Sequence, residues 1–246
     1  AEVVTSVENT GSEAHTLEML SSFTLGSLSP FSAGLAPESL KIHRLRSTWS
    51  AEGRLVTEAA EDLQLEPSWK CYSANSVRFG SVGSFPVRGF VPFCAVEDTA
   101  HGVTWAAVTT QGSSWQMELY RQDFGLSLSG GLADREFGAW CKTLAPGACF
   151  TAPKAVLTAV RGGVDTAAQV LAENTRRAIE PLLPASEKTL PVLFNEFCST
   201  WGKPTEETVL RHVRALKGKN LGYYVIDAGW YDDESFEAAT KLGKWA

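Results

Sequence analysis

A chain of 246 residues with 44% hydrophobic and 20% charged side chains can bury one large core or two smaller ones, which excludes wholesale disorder. A net charge of −6 excludes a nucleic-acid partner, because phosphate binding needs a concentrated basic face; the tightest basic cluster, Arg211, Arg214, Lys217 and Lys219, is offset by Glu206 and Glu207. No apolar run approaches the ~20 residues of a membrane helix, so no membrane partner is expected.

In chain order, residues 18 to about 160 break into short strand-like runs between turn residues, which predicts an all-β sandwich or barrel. Leu40–Leu45 alternates in part, and Gly102–Val108, Ser114–Leu119, Phe124–Leu128 and Phe150–Val160 read as further strands. Ser129-Gly130-Gly131 and Arg161-Gly162-Gly163 are turn punctuation, and Pro30, Pro37, Pro86 and Pro92 argue against helix. Val164, Ala167, Ala168, Leu171, Ala178 and Ile179 then follow a 3.6-residue period, predicting a helix over 164–179. Pro181 and Pro184 end it. The polar Ala185-Ser186-Glu187-Lys188 sets a domain boundary, with residues 1–185 as a β-sandwich domain ending in a linker helix and 186–246 as a second domain.

The second domain opens on a strand, Pro191–Phe197. A helix follows, entered at Pro204-Thr205-Glu206-Glu207, where proline suits the first turn and the carboxylates suit the positive end of the dipole. Val209, Leu210, Val213 and Leu216 give it an apolar stripe, and Gly218, Asn220 and Gly222 stop it. Tyr223-Tyr224-Val225-Ile226 makes a second strand, and another helix is expected from about Asp233. The strands of such a unit lie parallel with a right-handed crossover. Two parallel strands cannot close a sheet, so either these elements add to the sandwich or, the simpler answer, the natural polypeptide continues past Ala246.

Asp227 follows a hydrophobic strand directly and precedes Ala228-Gly229-Trp230. A carboxylate at the C-terminal end of a strand, beside an indole and a glycine that permits close approach, suits a polyhydroxylated ligand; capping the following turn is the competing role. Asn195, Glu196, Phe197, Cys198 and Trp201 lie at the end of the first strand and in its following loop and would face the same pocket, although Glu196 can equally point into solvent and Phe197 can equally be core. The five cysteines are widely spaced with no Cys-x-x-Cys pair, so buried free thiols are expected rather than disulfides or zinc. His15, His43, His101 and His212 are isolated, the common nucleophile, nucleotide and metalloprotease motifs are missing, and no cofactor or metal is expected. Residues 1–5 have neither the basic region nor the apolar stretch of a signal peptide and the chain carries no Asn-x-Ser/Thr acceptor, which points to the cytoplasm.

Asn195-Glu196-Phe197 followed by Tyr224-Val225-Ile226-Asp227-Ala228-Gly229-Trp230-Tyr231 resembles the barrel opening of the family 36 α-galactosidases. Leu20–Leu25, Leu45–Ser50, Ser84–Phe90, Gly112–Trp115 and Gly131–Pro153 are similar to the upstream part of the same family. The resemblance implies a mainly β chain: an N-terminal β-supersandwich, then the first strand–helix–strand of a truncated (β/α)8 TIM barrel. It implies a retaining hydrolase of terminal α-linked galactosides such as raffinose-type oligosaccharides, whose two carboxylates sit on later strands, so that this chain alone is inactive. It also implies substrate binding by Asp227 and Trp230, with Asn195 and either Phe197 or Trp201 on the first strand, and a homo-oligomer, often a tetramer. Relatives carry consecutive aspartates where this chain has Asp227-Ala228. Asp232 or Asp233 could compensate, or the enzyme could take a 2-acetamido sugar as an α-N-acetylgalactosaminidase. A raffinose-type glycosyl transferase on the same scaffold and a non-catalytic carbohydrate-binding sandwich are the remaining alternatives.

Overall fold

The computed structural model describes residues 1–31, 38–66, 75–122 and 125–230, which fall into two compact units, Ala1–Thr175 and Arg176–Ala246. The first runs β1 (Glu2–Val3), β2 (Ser6–Glu8), β3 (His15–Leu17), β4 (Ser21–Leu28), β5 (Leu40–Thr48), β6 (Ala51–Ala59), β7 (Asn75–Ser81) and β8 (Gly89–Asp98). It continues with β9 (Val103–Thr109), β10 (Trp115–Gln122), β11 (Gly125–Leu132), the helical turn α1 (Arg135–Gly138), β12 (Lys142–Leu144), β13 (Cys149–Thr151) and β14 (Ala155–Arg161). Helix α2 (Val164–Ile179) follows, and its last turn belongs to the second unit.

Two antiparallel sheets organise the first unit, one ordered β1-β14-β9-β8-β5-β6 and the other β4-β11-β10-β7. Period-two alternation decides what each face does. Ile42, Cys94, Val96 and Ala107 of the larger sheet pack on Phe79, Trp115, Met117 and Leu128 of the smaller one, forming the interior of a sandwich. The neighbouring residues Phe93, Ala95 and Ala106 point the other way and meet Ala167 and Leu171, so α2 covers the outer face of the larger sheet. Burying Leu171 there stabilises by roughly 1.5–3 kcal/mol. Gly80 is required in β7, because a Cβ would stand 2.1 Å from the Trp115 carbonyl oxygen. Pro92 lies in β8, an inner strand, and is tolerated where the β5–β8 register shifts between Arg44 and Arg46.

The run expected as one strand over 150–160 is two. Pro153 interrupts it, and β13 pairs with β2 while β14 pairs with β1 and β9. The strands before residue 18 are two or three residues long, too short to show alternation. The expectation of buried thiols holds for Cys94 alone among the described cysteines: burial pushes its thiol up to about 12, whereas Cys141, Cys149 and Cys198 are exposed. Cys71 and Phe124 lie outside the described residues.

In the second unit, β15 (Leu193–Asn195) and β16 (Tyr223–Val225) pair in parallel, Leu193 opposite Tyr223 and Asn195 opposite Val225. Between them come the helical turn α3 (Phe197–Thr200) and helix α4 (Glu206–Leu216). Thr205 caps α4: its hydroxyl accepts the Thr208 N–H at 3.2 Å, and the Thr208 hydroxyl accepts the Thr205 N–H at 3.0 Å. Phe194 stacks on Tyr224 at 5.6 Å, and the Tyr224 hydroxyl lies 3.1 Å from His212 Nδ1, so an aromatic cluster joins α4 to one face of the strand pair. The first strand ends two residues earlier than expected because Phe197 enters α3. The helix expected near Asp233 lies outside the described residues, as do Asp232 and Tyr231.

Asp134 ties the sandwich together where β11 turns into α1. It accepts the Phe137 N–H at 2.7 Å and the Gln116 amide at 3.0 Å, and Arg78 stands 3.5 Å away. Burial alone would raise its carboxyl; the Phe137 and Gln116 hydrogen bonds and the Arg78 charge outweigh that and hold it below the usual range. A depressed carboxyl contributes stability above its unfolded value, near 3.9, and loses it as pH falls through the folded value. Asp134→Ala is therefore expected to cost about 2–3 kcal/mol at neutral pH in urea unfolding, a lost cap plus an unsatisfied buried amide. The gap between variant and parent should narrow below about pH 4.

Candidate functional site

Asn195 and Asp227 sit where the two parallel strands end, and their side chains meet. Asn195 Nδ2 donates to Asp227 Oδ2 at 2.6 Å, and Asn195 Oδ1 accepts the Phe197 N–H at 2.9 Å. The second bond sets the orientation of the amide, because only its NH2 end can then face a carboxylate. Asp227 Oδ1 accepts the Ala228 N–H at 2.7 Å. The carboxylate thus does contact the following turn, but it is half-buried, and each oxygen keeps acceptor capacity beyond the single donor it has.

Of the two places open to Glu196, pocket or solvent, the structure excludes the second: the residue is 0% exposed. Its Oε1 accepts the Asp227 N–H at 3.1 Å and its Oε2 accepts the Thr200 hydroxyl, while its own N–H donates to the Val225 carbonyl at 3.2 Å. A buried carboxylate is costly without such partners, and this one spends both oxygens joining the ends of β15 and β16. Its negative charge, after burial, also helps push the nearby Tyr224 phenol above its usual value.

The loops beyond the strands are pinned as well. Gly229, at φ +97°, approaches the Gly202 backbone so closely that a Cβ would stand 1.9 Å from the Gly202 carbonyl oxygen. The close approach expected of this glycine is therefore to the neighbouring loop. Phe197 and Trp201 make an edge-to-face pair at 6.0 Å, with Trp201 turned outward by a left-handed φ of 52° at the end of α3. Trp201 is 70% exposed and Trp230 is 69% exposed. Two indoles in the loops after the two strands, and a carboxylate–amide pair at the strand ends, give a surface able to hydrogen-bond vicinal hydroxyls and cover an apolar ring. Among the described residues, no cluster of three or more His, Cys, Asp or Glu could hold a metal ion. Neither is any described helix long and apolar enough to cross a membrane.

No protein-family model matches the sequence, and no curated protein matches it. Solved structures do. The galactosidase domain of an α-galactosidase–sucrose kinase is similar over 93% of this chain and 29% of its own, with a TM-score of 0.71 at 17% identity. An α-galactosidase from Lactobacillus brevis is similar over 93% of this chain and 28% of its own, with a TM-score of 0.69 at 20% identity. A family 36 α-galactosidase from Geobacillus stearothermophilus, solved with raffinose, is similar over 92% of this chain and 29% of its own, with a TM-score of 0.71 at 17% identity. This chain therefore spans about 29% of the length of the galactosidases it matches. Its fold is that of the N-terminal domain of those enzymes.

The Gly229 contact yields a paired expectation. Gly229→Ala should lower the local stability of the second unit by at least about 2 kcal/mol, since it combines a left-handed backbone with a clash against main chain. Gly218→Ala should cost about 1 kcal/mol, because Gly218 has φ +80° but nothing within 4 Å. Hydrogen exchange of the β15 and β16 amides reads both; equal effects would mean that the two loops are not tightly apposed.

Proposed function

We propose that this chain is the leading part of a retaining glycoside hydrolase acting on terminal α-linked galactosides, with Asp227 at the sugar-binding edge of a (β/α)8 barrel. The observation that carries the reading is the Asn195–Asp227 pair at the C-terminal ends of adjacent parallel strands, the end at which barrel enzymes bind their substrates. Sugar hydroxyls donate to the free acceptor positions of Asp227, Asn195 keeps the carboxylate turned toward them, and Trp201 or Trp230 covers the apolar face of the ring. The fold shared with galactosidases, one of them solved with raffinose, supports raffinose-type oligosaccharides as the substrate class. The reaction needs no cofactor. Cleavage with retention requires a nucleophile and an acid/base roughly 5–5.5 Å apart, and the proposal places both outside these 246 residues.

A carbohydrate-binding sandwich without catalysis has no use for the parallel strand–helix–strand of the second unit. One residue favours a second sugar. Ala228 stands beside Asp227 where a second carboxylate would add charge-assisted hydrogen bonds, and the loss of that carboxylate is what favours a 2-acetamido sugar as the alternative.

In the complete enzyme, Asp227→Ala should lower kcat/KM for p-nitrophenyl α-galactoside by about 100-fold or more, the loss of two charge-assisted hydrogen bonds of roughly 1.5–3 kcal/mol each. The 246-residue chain by itself should release no nitrophenol. Unchanged kinetics in the variant would reduce Asp227 to a turn residue, and hydrolysis by the short chain would contradict the placing of the catalytic pair.

A further inference from the structure

The strand ends are joined by a side chain that the sugar-binding reading does not use. Glu196 belongs to β15's exit, yet its carboxylate is 0% exposed and reaches the backbone of the neighbouring strand. Oε1 accepts the N–H of Asp227 itself at 3.1 Å, and Oε2 is held by the Thr200 hydroxyl of α3. Asn195 holds the same aspartate from the side, through Oδ2 at 2.6 Å. The main chain of Asp227 is thus fastened by one residue and its carboxylate by the residue just before it in sequence.

We propose that Glu196 is the positioning residue of the site: an internal anchor that sets the backbone of Asp227, and hence the aim of its carboxylate, without touching substrate. The three-residue ladder between β15 and β16 ends at Asn195 and Val225, two residues short of Asp227. The Glu196 N–H to Val225 carbonyl bond and the Asp227 N–H to Glu196 Oε1 bond extend that tie past the ladder, the second one through a side chain. Because Thr200 orients Oε2, α3 takes part in the same anchor. The inference rests on Asp227 as a sugar ligand for its consequence in binding, while the anchor itself is a property of the folded chain.

The role asks for a hydrogen-bond acceptor facing Asp227, and a glutamine supplies one while its NH2 can donate to the Thr200 oxygen. The test therefore compares Glu196→Gln with Glu196→Ala in the complete protein, reading Asp227 amide hydrogen exchange and galactose affinity. Glu196→Ala should speed exchange at Asp227 at least about 10-fold and weaken galactose by about 10-fold or more, with Glu196→Gln restoring both to within about 3-fold. If Glu196→Ala does not fold, Thr200→Val frees Oε2 alone and should speed the same exchange about 3-fold. An Asp227 amide indifferent to Glu196→Ala, or to Thr200→Val in that case, overturns the anchor. So does a Glu196→Gln variant as impaired in galactose binding as Glu196→Ala, which would make the charge itself the ligand. Absence of galactose binding by the complete parent protein overturns the sugar reading instead, and the exchange arm still decides the anchor.

Discussion

The candidate site depends on how two short parallel strands hold their ends in register once their ladder stops. Three paired residues per strand are a weak support, since parallel pairing is modest per residue and unprotected ends fray. Here side chains take over where main chain stops. Asn195 bonds the Asp227 carboxylate, Glu196 bonds the Asp227 amide, and Gly229 lies against the Gly202 carbonyl. Each contact crosses from one strand end or its following loop to the other. A polar lattice of this kind is worth having only if it is fully satisfied, and both Glu196 oxygens and both Asn195 amide ends are.

The same logic shapes the sandwich. Its interior is apolar and two-sided, with adjacent residues of β8 serving two cores: Cys94 and Val96 face the second sheet, and Phe93 and Ala95 face α2. Some buried polar side chains lie within strands, as His43 and Arg44 do in β5, and others finish turns. Asp98 does so after β8, accepting the Ala100 and His101 N–H groups at 3.0 and 3.1 Å, as Asp134 does after β11. The fold is that of galactosidase N-terminal domains at 16–20% identity, and alternation, turn chemistry and core volume can specify one fold with different residues.

Much of this was legible before any coordinates. The 3.6-residue period from Val164 to about Ile179 predicts α2 closely, because a long amphipathic pattern leaves few alternatives. Asp227 announces itself by following Tyr223–Ile226 directly, and Asn195 by ending the other strand. What sequence could not show depends on contacts distant along the chain. The sequence leaves Glu196 open between pocket and solvent because its partners, Asp227 and Thr200, are set by the crossover and by α3, and nothing local marks either. The break at Pro153 was readable in principle, since proline cannot donate to a ladder, but the flanking apolar residues 149–160 masked it. The exposed Cys198 shows the limit of residue-type averages: its place on α3 turns it outward despite the usual preference of cysteine for the interior.

The proposed sugar-binding role depends on a direction: the half-buried Asp227 carboxylate lies at the paired strand ends and keeps acceptor positions beyond its Asn195 and Ala228 bonds. A crystal structure of the complete enzyme soaked with galactose tests it most directly. Two sugar hydroxyl oxygens within roughly 2.5–3.0 Å of Asp227, with Asn195 still bonded to Oδ2, are the expected result. Galactose bound elsewhere, with the Asp227 carboxylate sealed beneath protein, would contradict the account.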